Sequence, residues 1–186
     1  MTFITQSLSD VQKAKIYNDL VIIDRITTIG KQMGIRVVIG GGYAVDGALG
    51  QITRSHDDID IQFYSKNELT MDEVAKFLAR SVQDKGREEY YHVFRVEDGD
   101  FIADIYALCV DSDPFGNEKI IMKRDGSKSE VQKFATKIVI LDGVSFEAQD
   151  ASVELEDKLY KRNIRHDPVY QKHDQDIVNL QKLLAK

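Results

Sequence analysis

The sequence predicts an α+β fold: a small mixed β-sheet flanked by helices and followed by C-terminal helices. Three observations carry this expectation. Ile16, Leu20, Ile23 and Ile26 or Thr27 recur at helical spacing and supply an apolar stripe for a sheet. Between 35 and 63 an apolar strand, a glycine triplet, a short apolar segment and a strand of alternating polarity follow one another. Beyond residue 149 apolar positions again recur at helical spacing on both sides of Pro168.

Taken in order, the first helix is expected over 9–33, with Ser9 as N-cap, Asp10 in its first turn and Gly34 as its stop. A buried strand follows over 35–39, and Gly40, Gly41 and Gly42 end it in a turn. A short helix over 43–49 leads to a strand over 57–63. A second helix is expected over 70–84, capped by Thr70, striped by Val74, Phe77, Leu78 and Val82, and closed by Lys85 and Gly86. Strands over 89–96 and 101–110 flank an Asp-Gly step at Asp98 and Gly99, a hairpin signal that marks Asp98 and Asp100 as turn residues. Strands over 118–122 and 136–141 are separated by a polar loop over 123–129, and 141–147 reads as a hairpin with a final extended piece. The acidic stretch 111–117 fails the calcium-loop pattern, because Phe115 and Met122 stand where ligands are needed, and reads as a turn. Helices over 150–163 and 168–184 complete the chain. We expect 1–148 to form a core and 149–186 a helical extension packed on it.

Chemistry concentrates in GGGYAVDGALGQITRSHDDIDIQF, residues 40 to 63. Successive strand side chains alternate between faces, so Asp58 and Asp60 share one side while Ile59 and Ile61 anchor the other in the core. Two carboxylates that close repel, and the pair is stable with a cation between them or in open water. Glycine lets backbone approach a ligand closely, and the N–H groups of the following helix suit phosphate oxygens. Arg54 is a fork-shaped donor for the same anion. Three glycines alone specify only a tight turn, and an acidic pair alone only a solvated strand edge. Both together, with Arg54 and His56 between them, point to divalent metal and a nucleotide phosphate. Asp104 interrupts the apolar run Phe101-Ile102-Ala103-Asp104-Ile105-Tyr106, where an unpartnered buried carboxylate would be costly. It either completes a three-carboxylate cluster with Asp58 and Asp60 or is held by an arginine or backbone amides. Asp46, on the short helix, suits a salt bridge as well as ligand contact. Lys158 or Arg162 could reach a triphosphate if their helix covers the cleft.

The string Gly41-Gly42-Tyr43-Ala44-Val45-Asp46, then Gly50, Thr53-Arg54 and His56-Asp57-Asp58-Ile59-Asp60, resembles the nucleotidyltransferase signature of the DNA polymerase β superfamily. Within it the string is similar to the lincosamide nucleotidyltransferases and the aminoglycoside 2″-adenylyltransferases, with Tyr43 where tryptophan is common. Ala103-Asp104-Ile105 matches the strand of the third catalytic aspartate, and 173–180 faintly resembles the C-terminal helix of the lincosamide enzymes. The resemblance implies a nucleotidyltransferase core that moves a nucleoside monophosphate, AMP from ATP, to a hydroxyl of a small antibiotic. It also implies Mg²⁺, two ions held by Asp58, Asp60 and Asp104, with Asp104 as general base and the triphosphate at Gly41, Gly42 and Arg54. The superfamily also contains enzymes that modify proteins or RNA ends. A nucleotide-binding regulator without turnover is a further alternative, which the retention of all three carboxylates disfavours.

The net charge of −6 argues against a protein whose main partner is duplex nucleic acid. With 42% apolar and 30% charged residues the composition is that of a globular protein. The N-terminus lacks a basic start with a continuous apolar block, and no run is long enough to span a bilayer, so a cytoplasmic protein without membrane partners is expected. The single cysteine, Cys109, reads as a small core residue.

Overall fold

Ser9 and Gly34 bound the first helix by their own chemistry. In a computed structural model, α1 runs Asp10–Met33; the Ser9 hydroxyl accepts from the Gln12 N–H while the Gln12 side chain accepts from the Ser9 N–H. Gly34 ends it in the left-handed conformation at φ 69°. The structure describes residues 8–87, 91–112, 118–124, 127–132, 135–165 and 171–185. The other elements are β1 (Arg36–Gly40), α2 (Gly41–Leu49), β2 (Ile59–Ser65), α3 (Met71–Leu78), β3 (Gln83–Arg87), β4 (His92–Asp98), β5 (Phe101–Ser112), β6 (Glu118–Arg124), β7 (Ser127–Gln132), β8 (Thr136–Leu141), β9 (Val144–Gln149), α4 (Ala151–Arg165) and α5 (Gln171–Leu184).

The sheet has the order β3-β4-β5-β2-β1-β9-β8, and β6 and β7 continue from the far end of β5 as a hairpin. It is mixed: β2 runs parallel to β5 and antiparallel to β1, and β1 runs parallel to β9. The α+β expectation therefore holds. On one face Ile39, Ile59, Ile61, Phe63, Ala103, Ile105, Phe94 and Val96 form the main core with Ile16, Leu20, Ile23 and Ile26 of α1. The other face carries the polar residues of β2 and β5 and a small apolar cluster of Val38, Tyr64, Leu108 and Val110. At one level across that face stand Arg95, Asp104, Asp60 and Gly40, each paired in register with the next.

Several local expectations need correction. The glycines do not form a turn ahead of a helix over 43–49: Gly41 and Gly42 are the first turn of α2, and Gly40 is its N-cap. The strand at 57–63 begins two residues later, so Asp58 lies just before it. The helix expected to reach residue 84 stops at Leu78, because Ala79 takes the left-handed conformation at φ 52°. Residues 83–87 are instead an exposed edge strand, paired antiparallel to β4. The loop at 123–129 is read too wide, since β6 extends to Arg124 and pairs there with Ser127 of β7. Cys109 is half-buried rather than a core residue, and its thiol donates to the Lys66 carbonyl at 3.3 Å. Residues 88–90, 113–117 and 166–170, on which parts of the strand, turn and helix expectations fall, lie outside the described residues. Among the described residues no helix is long and apolar enough to cross a membrane.

Candidate active site

Strand pairing brings the two strand carboxylates together. Asp60 and Asp104 are register partners on the parallel strands β2 and β5, hence on the same face. Asp58 precedes β2 by one residue, and its charge acts on Asp60. Burial pushes the Asp60 carboxyl above the ordinary range; Asp58 and, more weakly, Asp104 push the same way, while Lys161 and the Tyr106 hydroxyl oppose them. That hydroxyl donates to Asp60 Oδ1 at 3.2 Å. Burial, followed by the charges of Asp60 and Asp104, raises the Tyr106 phenol and keeps it a donor.

Positive side chains surround this acidic patch. Arg95 Nη1 donates to both oxygens of Asp104, at 2.8 and 3.0 Å. Of the two roles left open for Asp104, the arginine-held one is therefore present in this state. Lys161 of α4 sits 2.7 Å from Asp157; burial works to lower its pKa, but Asp157, Asp60 and Glu154 together keep it raised. Among the described residues no three Asp, Glu, His or Cys side chains stand together as a ready-made metal cage. The donor set nevertheless fits an oxygen-preferring divalent cation: hard carboxylates share one face, and the inner one is raised by burial and then by its neighbours' charge.

The glycines are explained first by packing. Gly41 has φ 63°, and a Cβ there would lie 1.8 Å from Asp60 Oδ2. A Cβ on Gly42 would lie 2.1 Å from His56 Nδ1. The Gly41 N–H donates to Glu154 Oε1 at 2.8 Å, so this phosphate-binding candidate already has an acceptor. His56 is buried between Tyr43, whose ring centroid is 4.4 Å away, and Asp46, whose Oδ2 is 2.6 Å from Nε2. His56 Nδ1 has no hydrogen-bond partner among the described residues. Asp46 Oδ1 accepts from the Thr53 N–H at 3.1 Å and hydroxyl at 2.6 Å. Asp46 thus clamps the loop between α2 and β2, and Tyr43 donates to Asp19 of α1 at 2.6 Å.

Arg54 is held by a carboxylate of the last helix. Its Nη2 donates to Asp176 Oδ2 at 2.9 Å, and Lys158 Nζ lies 3.3 Å from the same oxygen. Burial alone would raise the Asp176 carboxyl, but the Arg54 hydrogen bond and the Lys158 charge outweigh it and hold the group low. Lys158 is buried in this network, and Arg162 pairs with Asp174 at 3.3 Å on the surface. Burial pushes the Glu154 carboxyl up to about 8, with Lys158 opposing. Glu154, Asp176, Lys161, Arg95 and Tyr106 were not identified from sequence. The sequence signals were Glu154 and Lys158 at i, i+4, Tyr106 two places after Asp104, Lys161 within the basic stretch of the C-terminal helices, and Asp176 within the faint 173–180 resemblance, from which no role follows.

Comparison with known proteins places this arrangement. A family model described as aminoglycoside-2''-adenylyltransferase matches residues 22–166. A 2''-aminoglycoside nucleotidyltransferase of Escherichia coli and one of Klebsiella pneumoniae are each 32% identical to the chain over 83 residues. Those alignments cover 45% of this chain and 45% of each relative, so the match spans less than half the length of these curated relatives. The solution structure of the antibiotic-resistance factor ANT(2'')-Ia aligns with a TM-score of 0.61 at 20% identity, covering 90% of this chain and 85% of that one. The lincomycin-bound lincosamide antibiotic adenylyltransferase LnuA aligns with a TM-score of 0.57 at 17% identity, covering 95% of this chain and 98% of that one. At such identities these two likenesses speak for the fold, while the family model spans most of the sequence, from α1 to the end of α4. The chain belongs to the aminoglycoside-2''-adenylyltransferase family.

Proposed function

We propose that the protein is a metal-dependent nucleotidyltransferase that moves AMP from ATP to a hydroxyl of an aminoglycoside- or lincosamide-like acceptor and releases pyrophosphate. The observation that carries this reading is the register pairing of Asp60 with Asp104 on one face of the sheet, beside Gly41 and within the charge of Asp58. Family membership and the names of the curated relatives support the acceptor class. In this reading 1–148 is the catalytic core and 149–186 its helical extension.

Asp58, Asp60 and Asp104 would hold Mg²⁺, two ions in the full reading, which when bound supplies neutralisation of the charge on phosphate oxygens. The chain's own groups do the rest. Asp104, once released by Arg95, accepts the proton of the acceptor hydroxyl as general base. Arg95, a guanidinium throughout and still held by Glu97, is then left free of Asp104 to offset negative charge in the cleft. Lys161, whose charge already acts on Asp60, adds electrostatic stabilisation of the phosphates. Tyr106 keeps the Asp60 carboxylate oriented by donating to Oδ1. Gly41, Gly42 and Arg54 remain the candidates for the triphosphate, and Arg54 must exchange Asp176 for phosphate to serve there.

The test is pyrophosphate release with MgATP and MgGTP across a panel of aminoglycosides and lincosamides, with product mass. Acceptor-dependent release with a nucleoside monophosphate added to the drug is expected. Absence of release with every acceptor overturns the reading.

A further inference from the structure

The strongest feature that the proposed reaction leaves unused is a buried chain of ionisable side chains running through the C-terminal helices. Glu154 and Lys158 of α4 and Asp176 of α5 are each at most 2% exposed, an uncommon state for ionisable side chains. They are linked in sequence: the Gly41 N–H donates to Glu154 Oε1 at 2.8 Å, Lys158 Nζ lies 3.9 Å from Glu154 Oε2 and 3.3 Å from Asp176 Oδ2, and Arg54 donates to Asp176. One end of this chain meets the first residue of α2, and the other meets the loop before β2. Both ends fall in the stretch from which the candidate carboxylates come.

The Gly41 end matters because of how little room there is. Asp60 Oδ2 occupies the space a Cβ of residue 41 would need, so the Gly41 backbone forms a wall of the Asp60 carboxylate's position. A Cβ on Gly40 would meet Gln149 Oε1 at 2.7 Å, Glu154 Oε1 at 3.5 Å and Asp60 Cβ at 3.6 Å, so Glu154 and Asp60 both pack against this glycine pair. Fixing the Gly41 peptide therefore fixes one side of Asp60, while Tyr106 fixes the other.

We propose that Glu154 is a positioning residue of the catalytic centre: its side-chain oxygen holds the Gly41 peptide against Asp60, and Lys158 and Asp176 tie it to Arg54. The inference rests on the reading of Asp60 as a metal-holding carboxylate and adds that α4 and α5 are part of the site's framework. What Glu154 supplies is reach and an acceptor oxygen, rather than charge.

Two substitutions separate those properties. Glu154→Gln keeps the reach and the acceptor and loses the charge; Glu154→Asp keeps the charge and is one methylene too short. Hydrogen exchange of the Gly41 amide, followed by NMR with the Ile61 amide as reference, reads the contact without any turnover. Glu154→Gln should leave Gly41 protection near that of the wild type. Glu154→Asp should speed its exchange by about ten-fold or more, as expected for losing one such hydrogen bond, with Ile61 unchanged. Mg²⁺ affinity measured by calorimetry should fall in Glu154→Asp and hold in Glu154→Gln. With an accepted antibiotic, kcat should follow the same order while KM for ATP stays within about two-fold. The opposite order, with Glu154→Asp normal and Glu154→Gln impaired, would show that the residue balances charge and would overturn the proposal. So would an unchanged Gly41 amide in Glu154→Asp. If no acceptor is turned over by the wild type, the proposed function fails, whereas the exchange measurement still decides the Glu154–Gly41 contact.

Discussion

Replacing Gly41 by alanine tests the proximity of this backbone to Asp60, and Gly50→Ala is its internal control. Both residues adopt the left-handed conformation, at φ 63° and 69°, and both would pay the same backbone penalty. That penalty is about 1–2 kcal/mol, which for a chain of this length lowers the melting temperature by about 2–8 °C. The surroundings differ. Nothing lies within 4 Å of a Cβ on Gly50, whereas a Cβ on Gly41 would stand 1.8 Å from Asp60 Oδ2 and 2.8 Å from its Cγ. Both distances are far inside van der Waals contact, so the carboxylate must move by more than an ångström. A displacement of that size at a catalytic group costs about a hundred-fold in rate. Thermal melts should therefore show the backbone loss in both variants, and a further loss in Gly41→Ala from the displaced carboxylate. Pyrophosphate release should fall about a hundred-fold in Gly41→Ala and stay within about two-fold in Gly50→Ala. Equal turnover in the two variants, whether both active or both dead, would refute the reasoning.

Asp60→Asn should abolish pyrophosphate release while melting no lower than the wild type, because it removes a charge that burial and Asp58 both disfavour; a collapse of the melting temperature would mark it as structural instead. Asp104→Asn should also abolish release but melt slightly lower, because it gives up the ion pair with Arg95. Added MgCl₂ should raise the melting temperature of the wild type, by the equivalent of about 2.7 kcal/mol at a hundred-fold excess over Kd, and should not raise that of Asp60→Asn. Asp46→Ala leaves His56 and Thr53 without their buried partner and should cost about 3 kcal/mol in urea unfolding; a loss below about 1 kcal/mol would contradict the clamp. The Glu154 carboxyl, near 8 in the folded protein against an ordinary 4.5, holds a proton that the unfolded chain sheds. Its contribution is complete below about 4.5 and is lost as pH rises towards about 8. The stability of Glu154→Gln should accordingly gain on the wild type across that window, by about 1.4 kcal/mol for each pH unit, and a flat difference between pH 5 and 8 would contradict it.

Local chemistry made much of this architecture readable. Ser9 and Thr70 announced helix starts because each can accept from an N–H three residues on, and both do. The alternation through Asp58, Ile59, Asp60 and Ile61 identified the carboxylate strand because its isoleucines must be buried, as Ile59 and Ile61 are. Reading failed where a local pattern had two solutions. Val82 continued the apolar stripe of α3, and only the left-handed turn at Ala79 ends the helix before it. Gln83–Arg87 has the polarity of a loop because an edge strand exposed on both faces has no apolar side to display. Within the site, Asp104 was legible because a carboxylate in an apolar strand demands a partner, and Arg95 supplies it. Glu154 and Lys158 were illegible for the opposite reason. An i, i+4 Glu–Lys pair is the usual dress of a solvated helix face, and only the packing of α4 against α2 and α5 buries it.

The level shared by Arg95, Asp104, Asp60 and Gly40 has a consequence for how this chain can change over time. Adding or deleting a single residue between the tip at Gly99 and Asp104 would rotate that aspartate into the oily layer. The same edit within β2 ahead of Asp60, at Ile59, would do so from the other side. Insertions should therefore accumulate beyond Ser65 and Ser112, where the strands have already delivered their acids, while the counts leading up to them stay frozen. On the proposed function, acceptor preference is then set by the loops that lie downstream of these fixed intervals.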